Sequence, residues 1–261
     1  MNLALELRVS VWLLGPAALA LLLAAVELGF RLGRRRPRRA RVESLTTLTS
    51  AVLGLLALLL GFSFAMADTR YQTRRDLVVS EANAIGTTIL RAQLLPDPPR
   101  VEVERLLERY LDARIAFHAA GTNATRVRRA AADSERLQTE LWMRGAAAAL
   151  LDRHATTTAL FLQSLNQVID LHAARIDALE NRVPRAILLL LLFVACISSG
   201  LIGYGNGLAG TRSVGGSTVM VVVFSAVMML IVALDRPDRG AVRVPQESML
   251  RLRHSLSVAP H

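Results

Sequence analysis

Apolar and polar residues are laid out in long blocks along the chain. Residues 9–30 hold one charged side chain, Glu27, and residues 45–67, 186–208 and 214–234 hold none. A hydrocarbon core of ~30 Å needs about 20 residues of helix. Each block therefore predicts one membrane-spanning helix. The first follows Arg8 as a signal peptide would, but it is long and has no small-x-small cleavage site before the Arg cluster, so it reads as a retained helix. Ser44 is the predicted cap of the second helix. No proline or glycine separates Ala67 from Arg75, so this helix should run on past the bilayer, to Gly86 at the earliest and to Pro96 by preference.

The polar stretch between the second and third blocks has helical periods. Val103, Leu106, Leu107, Tyr110, Leu111 and Ile115 recur every three or four residues and predict an amphipathic helix over 100–117. Residues 121–123 break the pattern, and helix should resume near Ala130. Leu160, Leu165, Val168, Ile169, His172, Ile176 and Leu179 predict another helix, ending before Pro184, a suitable first-turn residue for the third span. A connection over 209–213 makes the last two spans an antiparallel hairpin. The expected fold is an all-α membrane protein of four transmembrane helices. Its segments are 1–44 (first helix and Arg-rich loop), 45–67 (second helix), 68–185 (helical extramembrane domain), 186–234 (hairpin) and 235–261 (tail).

Composition agrees with membrane residence: 52% hydrophobic residues with a net charge of +10 is unusual for a soluble globular chain. All 31 basic residues are Arg. The guanidinium fork suits phosphate or lipid head groups, although genomic base composition accounts for the bias more simply. Residues 68–185 carry 17 Arg against 15 Asp plus Glu, with no basic face interleaved with aromatics, which excludes nucleic acid as the expected partner. Seven Arg crowd residues 31–41 on one side of the bilayer, while a larger number is spread over four places on the other. The positive-inside rule does not orient such a chain. Cys196, the single cysteine, lies in an apolar block and reads as a packing residue.

No catalytic or metal-binding pattern emerges. His118, His154, His172, His254 and His261 lack ligand spacing, and His172 falls on an apolar helix stripe, where a core role is the expectation. There is no nucleophile elbow, phosphate-binding glycine loop or zinc-protease helix. No enzyme, cofactor or metal is expected. Asn123, Ala124 and Thr125 spell a glycosylation sequon, which a chain of this length shows by chance.

The exit of the second span is more informative. Leu60, Gly61 and Phe62, followed by Arg70 and Tyr71, resemble the second membrane helix of the bestrophin anion channels. The chain is more similar still to the bacterial bestrophin-like membrane family, through Arg74, Arg75, Asp76, Leu77, Val78, the run Glu81, Ala82, Asn83, Ala84, then Leu94, Leu95, Pro96 and the turn Asp235, Arg236, Pro237. This resemblance covers residues 45–252. It implies a homo-oligomer, pentameric in bestrophins, with the central domain in the cytoplasm and an apolar neck at Gly54, Leu58 and Phe62. Spacing by four keeps these three on one slanted helix face, and an apolar ring of that kind gates by dewetting. Arg70, Arg74 and Arg75 would then lie at the pore mouth or against lipid head groups. The chain departs from bestrophins in three ways: Gly54 offers no side chain, Tyr71 stands alone where an aromatic pair is usual, and no acidic cluster resembling a calcium clasp follows Leu234.

Each of these features also has a plainer reading. Gly54, Ala57 and Gly61 are spaced for close helix packing. Glu81 and Asn83 suit a solvated or intersubunit helix face, and Asp235 with Arg236 suits a turn at the lipid boundary. Two functions follow: an oligomeric anion channel of the bacterial inner membrane, or a non-conducting scaffold or sensor that binds a protein through its helical domain.

Overall fold

A computed structural model describes residues 11–35, 42–121, 123–151, 156–236 and 242–258. Among these, all regular structure is helical: α1 (Val11–Arg34), α2 (Val42–Ala92), α3 (Pro99–Ala119), α4 (Ala124–Leu151), α5 (Thr156–Glu180), α6 (Arg185–Ala209), α7 (Val214–Asp235) and α8 (Glu247–Val258). The chain forms two compact units, Met1–Tyr71 with Arg182–Val242, and Gln72–Asn181 with Arg243–His261. The uninterrupted helix predicted beyond the second span is present and ends at Ala92, four residues before Pro96. It begins at Val42, so Ser44 lies inside the helix rather than capping it; its side chain is outside the described residues. Likewise α4 starts six residues ahead of the predicted resumption at Ala130. Of the Arg-rich loop, residues 36–41 lie outside the described residues, and Arg31 and Arg34 belong to the last turn of α1.

Among the described residues four helices are long and apolar enough to cross a membrane, and their charge-free parts lie in the first unit. Its core gathers Leu22 of α1, Leu56, Leu60 and Ala67 of α2, Leu191, Val194 and Ala195 of α6, and Val221, Ile231 and Leu234 of α7. No more than 33% of any apolar window is buried within the chain. Most of the apolar surface therefore faces outward, as suits helices solvated by lipid or by other copies of the chain.

Small residues set the closest approach in this unit. A Cβ placed on Gly29, Gly33, Gly203 or Gly207 would collide with backbone carbonyls of the facing helix, at Gly200, Tyr204, Val26 and Phe30 respectively. Gly29 and Gly33 on α1 thus interlock with Gly203 and Gly207 on α6, each pair four residues apart, so that two backbones touch without intervening side chains. At one end of this pair Glu27 accepts from Arg31 at 2.8 Å and from Arg212 at 2.7 Å. The α6–α7 connection turns at Gly210, whose φ of 69° favours glycine. At the other end of the hairpin the Val183 N–H donates to Asp235 Oδ1 at 2.8 Å, and Asp235 is buried. α7 ends at Asp235, as the expected turn requires, and the carboxylate also ties this end of the helix to the residues just before α6.

In the second unit α3 packs on α4 and α8, and α4 packs on α5. The buried face of α3 consists of Val103, Leu106, Leu107, Tyr110 and Leu111, as the periodicity predicts, with Arg114 added. On α5 the buried stripe is Phe161, Ser164, Leu165, Val168, His172 and Arg175. It is rotated from the predicted one, leaving Leu160 exposed and Ile176 and Leu179 half-buried.

Candidate functional site

Along the charge-free part of α2, opposite faces have opposite surroundings. Leu56, Leu60, Ser63 and Ala67, spaced by three and four, are buried against the unit's own core. Gly54, Leu58 and Phe62 lie on the other face, where Leu58 is 54% and Phe62 64% exposed. A Cβ at Gly54 or Gly61 would meet nothing within 4 Å. Within the chain, then, Gly54 and Gly61 of α2 admit no neighbouring helix, and close packing belongs to α1 and α6 instead. The three expected neck residues share one outward, unpartnered apolar face.

The three expected mouth residues have separate surroundings. Arg75 is exposed and Arg70 half-buried. Arg74 is buried, and its Nε and Nη2 donate to the carbonyls of Ala178 and Asn181, both at 2.9 Å. Those carbonyls belong to the end of α5 and the residue just beyond it, where helix carbonyls lack intrahelical partners and a partial negative charge accumulates. A guanidinium there anchors α5 to α2.

The second unit encloses a polar network that hydrophobic periodicity did not single out. Glu81, expected on a solvated or intersubunit face, is fully buried between Arg114 and Arg175. Arg114 Nε donates to Glu81 Oε1 at 2.7 Å and Arg114 Nη2 to Oε2 at 3.3 Å. Arg175 Nη1 donates to Oε2, and the Tyr110 hydroxyl donates to Oε1 at 3.2 Å. Gln138 Nε2 of α4 in turn donates to Tyr110 Oη at 3.1 Å. Two helices, α3 and α5, thus send polar groups to one carboxylate carried by α2, and α4 joins them through Tyr110. Asn83, two residues on, is exposed as expected.

The electrostatics follow from this enclosure, which lies outside the charge-free stretches. Burial pushes the Glu81 carboxyl up, but the Arg114 and Arg175 charges outweigh it and hold the group below its ordinary value. Burial and the adjoining Glu81 charge raise the Tyr110 phenol, so it stays a donor. His172 is pushed down to about 4, first by burial and then by the Arg114 charge, with Glu81 opposing and Arg175 adding. His118 is lowered by burial and by Arg175 and Arg243. His172 is a buried neutral side chain, in keeping with its expected core role, and among the described residues no group of three or more His, Cys, Asp and Glu could hold a metal ion. A sequence signal for the network does exist: Glu81, Arg114 and Arg175 each continue the buried stripe of their own helix, beside Val78 and Ile85, Leu107 and Leu111, and Val168 and His172. A charge on an apolar stripe is costly unless paired.

Three comparisons bear on this arrangement. A family model described as the Bestrophin-like domain matches residues 17–249. The fold is similar to crystal structures of a bacterial bestrophin homologue from Klebsiella pneumoniae. One, of a single-substitution variant, matches at a TM-score of 0.69 and 16% identity, covering 96% of this chain and 98% of that one. Another, phased with zinc, matches at 0.64 and 15% identity, covering 93% and 95%. At such identity the likeness speaks for the fold alone. No curated protein matches the chain in sequence.

Proposed function

The chain belongs to the bestrophin-like family, and from that premise we propose that it assembles as a homo-oligomer around an anion path in the cell membrane, with α2 lining the neck. The observation that carries this reading is the outward face of α2. Gly54, Leu58 and Phe62 are apolar, exposed in the protomer and set back to back with the buried Leu56 and Leu60. In a ring of copies such a face meets its symmetry mates around the axis, and an apolar constriction passes ions only when wetted. Phe62 and Leu58 form the tightest rings in this scheme, while Gly54 leaves a wider vestibule. Arg75 and Arg70 attract anions towards the mouth, with Arg74 acting as the anchor of α5. The central unit is assigned to the cytoplasm.

Purified protein in planar bilayers tests this. Unitary anion currents are expected, with larger amplitude in Leu58→Ala and Phe62→Ala, because shortening an apolar ring widens it and eases wetting. Absence of any unitary conductance in all three proteins refutes the channel. The rival, a non-conducting scaffold or sensor, draws on the charge-free lining of residues 45–67, since transport routes commonly carry embedded charges. A monomer or dimer by native mass spectrometry supports that rival; a pentameric ring supports the pore.

A further inference from the structure

The network around Glu81 is unbalanced. One carboxylate faces two guanidinium groups, leaving one net positive charge where Glu81 and Arg114 are 0% and Arg175 7% exposed. Burying an uncompensated charge is far more costly than burying a paired one. Arg114 Nη1 and Gln246 Nε2 of this network lack partners, as does Nδ1 of His172, which feels the charges of Arg114, Glu81 and Arg175. Their residues are 0%, 9% and 6% exposed, so bulk water does not serve them.

These orphan atoms point to one kind of ligand. Arg114 Nη1 can only donate. Gln246 Oε1 is turned towards Arg175 Nη2, at 3.5 Å, which leaves its amide NH2 as a second donor. His172 is neutral at pH 7, with its pKa held near 4, and its Nδ1 can carry a third N–H in the appropriate tautomer. We propose that this network holds a small monovalent anion, of which chloride is the simplest, bound by Arg114, Gln246 and His172 and balancing the excess guanidinium charge. A neutral water would serve the donors but leave the charge. The anion would be a fixed structural ligand of the second unit, and it does not depend on whether the protein conducts.

Thermal unfolding of the full-length protein in detergent tests this, with sodium chloride exchanged for sodium gluconate at constant ionic strength, since gluconate is too large for an enclosed site. A rise in Tm with chloride is expected, flat at low concentration and then roughly 2–5 °C for each tenfold increase above half-saturation. Bromide should act similarly. Gln246→Leu removes one donor and should shift the half-saturating concentration upward at least tenfold. Arg114→Met leaves Glu81 paired with Arg175 alone and should abolish the response; if that variant does not fold, Gln246→Leu still decides. Equal Tm in chloride and gluconate overturns the proposal. So does a chloride response unchanged in Gln246→Leu, which would mark a general salt effect at the surface or a water in the network.

Discussion

Replacing Glu81 with Gln keeps the side chain's volume and removes only its charge. Arg114 and Arg175 would then stand buried with no carboxylate between them, and the three contacts at 2.7, 3.3 and 3.2 Å from Arg114 and Tyr110 would lose their charge assistance. Removing one partner of a buried ion pair costs about 3–5 kcal/mol, mostly because the remaining charge is stranded. For a chain of this size that is a fall in Tm of roughly 6–20 °C. Asp76→Asn, an exposed position on the same helix, is the control and should stay within about 0.5 kcal/mol of the parent. The acid limb provides a second readout. Because the folded-state pKa of Glu81 lies below its ordinary value, its contribution is complete above that ordinary value and is lost as pH falls through the folded one. Glu81→Gln should therefore flatten the loss of stability below pH ~4.5. Thermal unfolding of both variants in detergent from pH 7 to pH 2 measures both effects. A Glu81→Gln shift no larger than that of Asp76→Asn would refute the view that this carboxylate holds the helices of the second unit together.

Two further outcomes are expected. His172 is depressed to about 4 when folded, so the unfolded chain takes up its proton first as pH falls; stability should drop between about pH 6.5 and 4 by at most ~3 kcal/mol. His172→Leu should reduce that slope, as read by Tm against pH, although Glu81, Arg114 and Arg175 remain around the site. In the first unit, Gly203→Ala should lower Tm by the equivalent of about 1–3 kcal/mol because its Cβ meets the Val26 backbone, whereas Gly61→Ala, which meets nothing, should leave protomer stability within about 0.5 kcal/mol. Equal effects of the two alanines, measured in the same detergent, would contradict the α1–α6 contact.

The membrane architecture was legible because lipid imposes a simple rule, a run of about 20 uncharged residues. The absence of Gly and Pro after Ala67 likewise gave the long course of α2. Periodicity found the apolar face of α3 but passed over Arg114, since a pattern of apolar residues does not register a charge that completes the same stripe. Glu81 was misplaced for the same reason: its partners are far off in sequence, on α3 and α5. The α5 stripe was rotated because Leu160 and Leu179 read as core although Ser164 and Arg175 occupy the buried positions. The spacing of small residues points to Gly54, Ala57 and Gly61, yet the backbones meet at Gly29, Gly33, Gly203 and Gly207. Spacing alone does not say which glycine face finds a partner.

The α1–α6 contact also has a schedule. Its two glycine pairs stand at opposite ends of the chain, and at about 5–20 residues per second of synthesis α1 is made roughly 10–35 s before the face it needs. During that interval the Gly29–Gly33 surface is solvated by acyl chains, and the helix must persist alone in the bilayer. The interface therefore forms by association of helices already inserted, a second stage separate from insertion itself. Variants at these glycines should leave membrane insertion intact and delay maturation, accumulating as inserted but protease-sensitive protein.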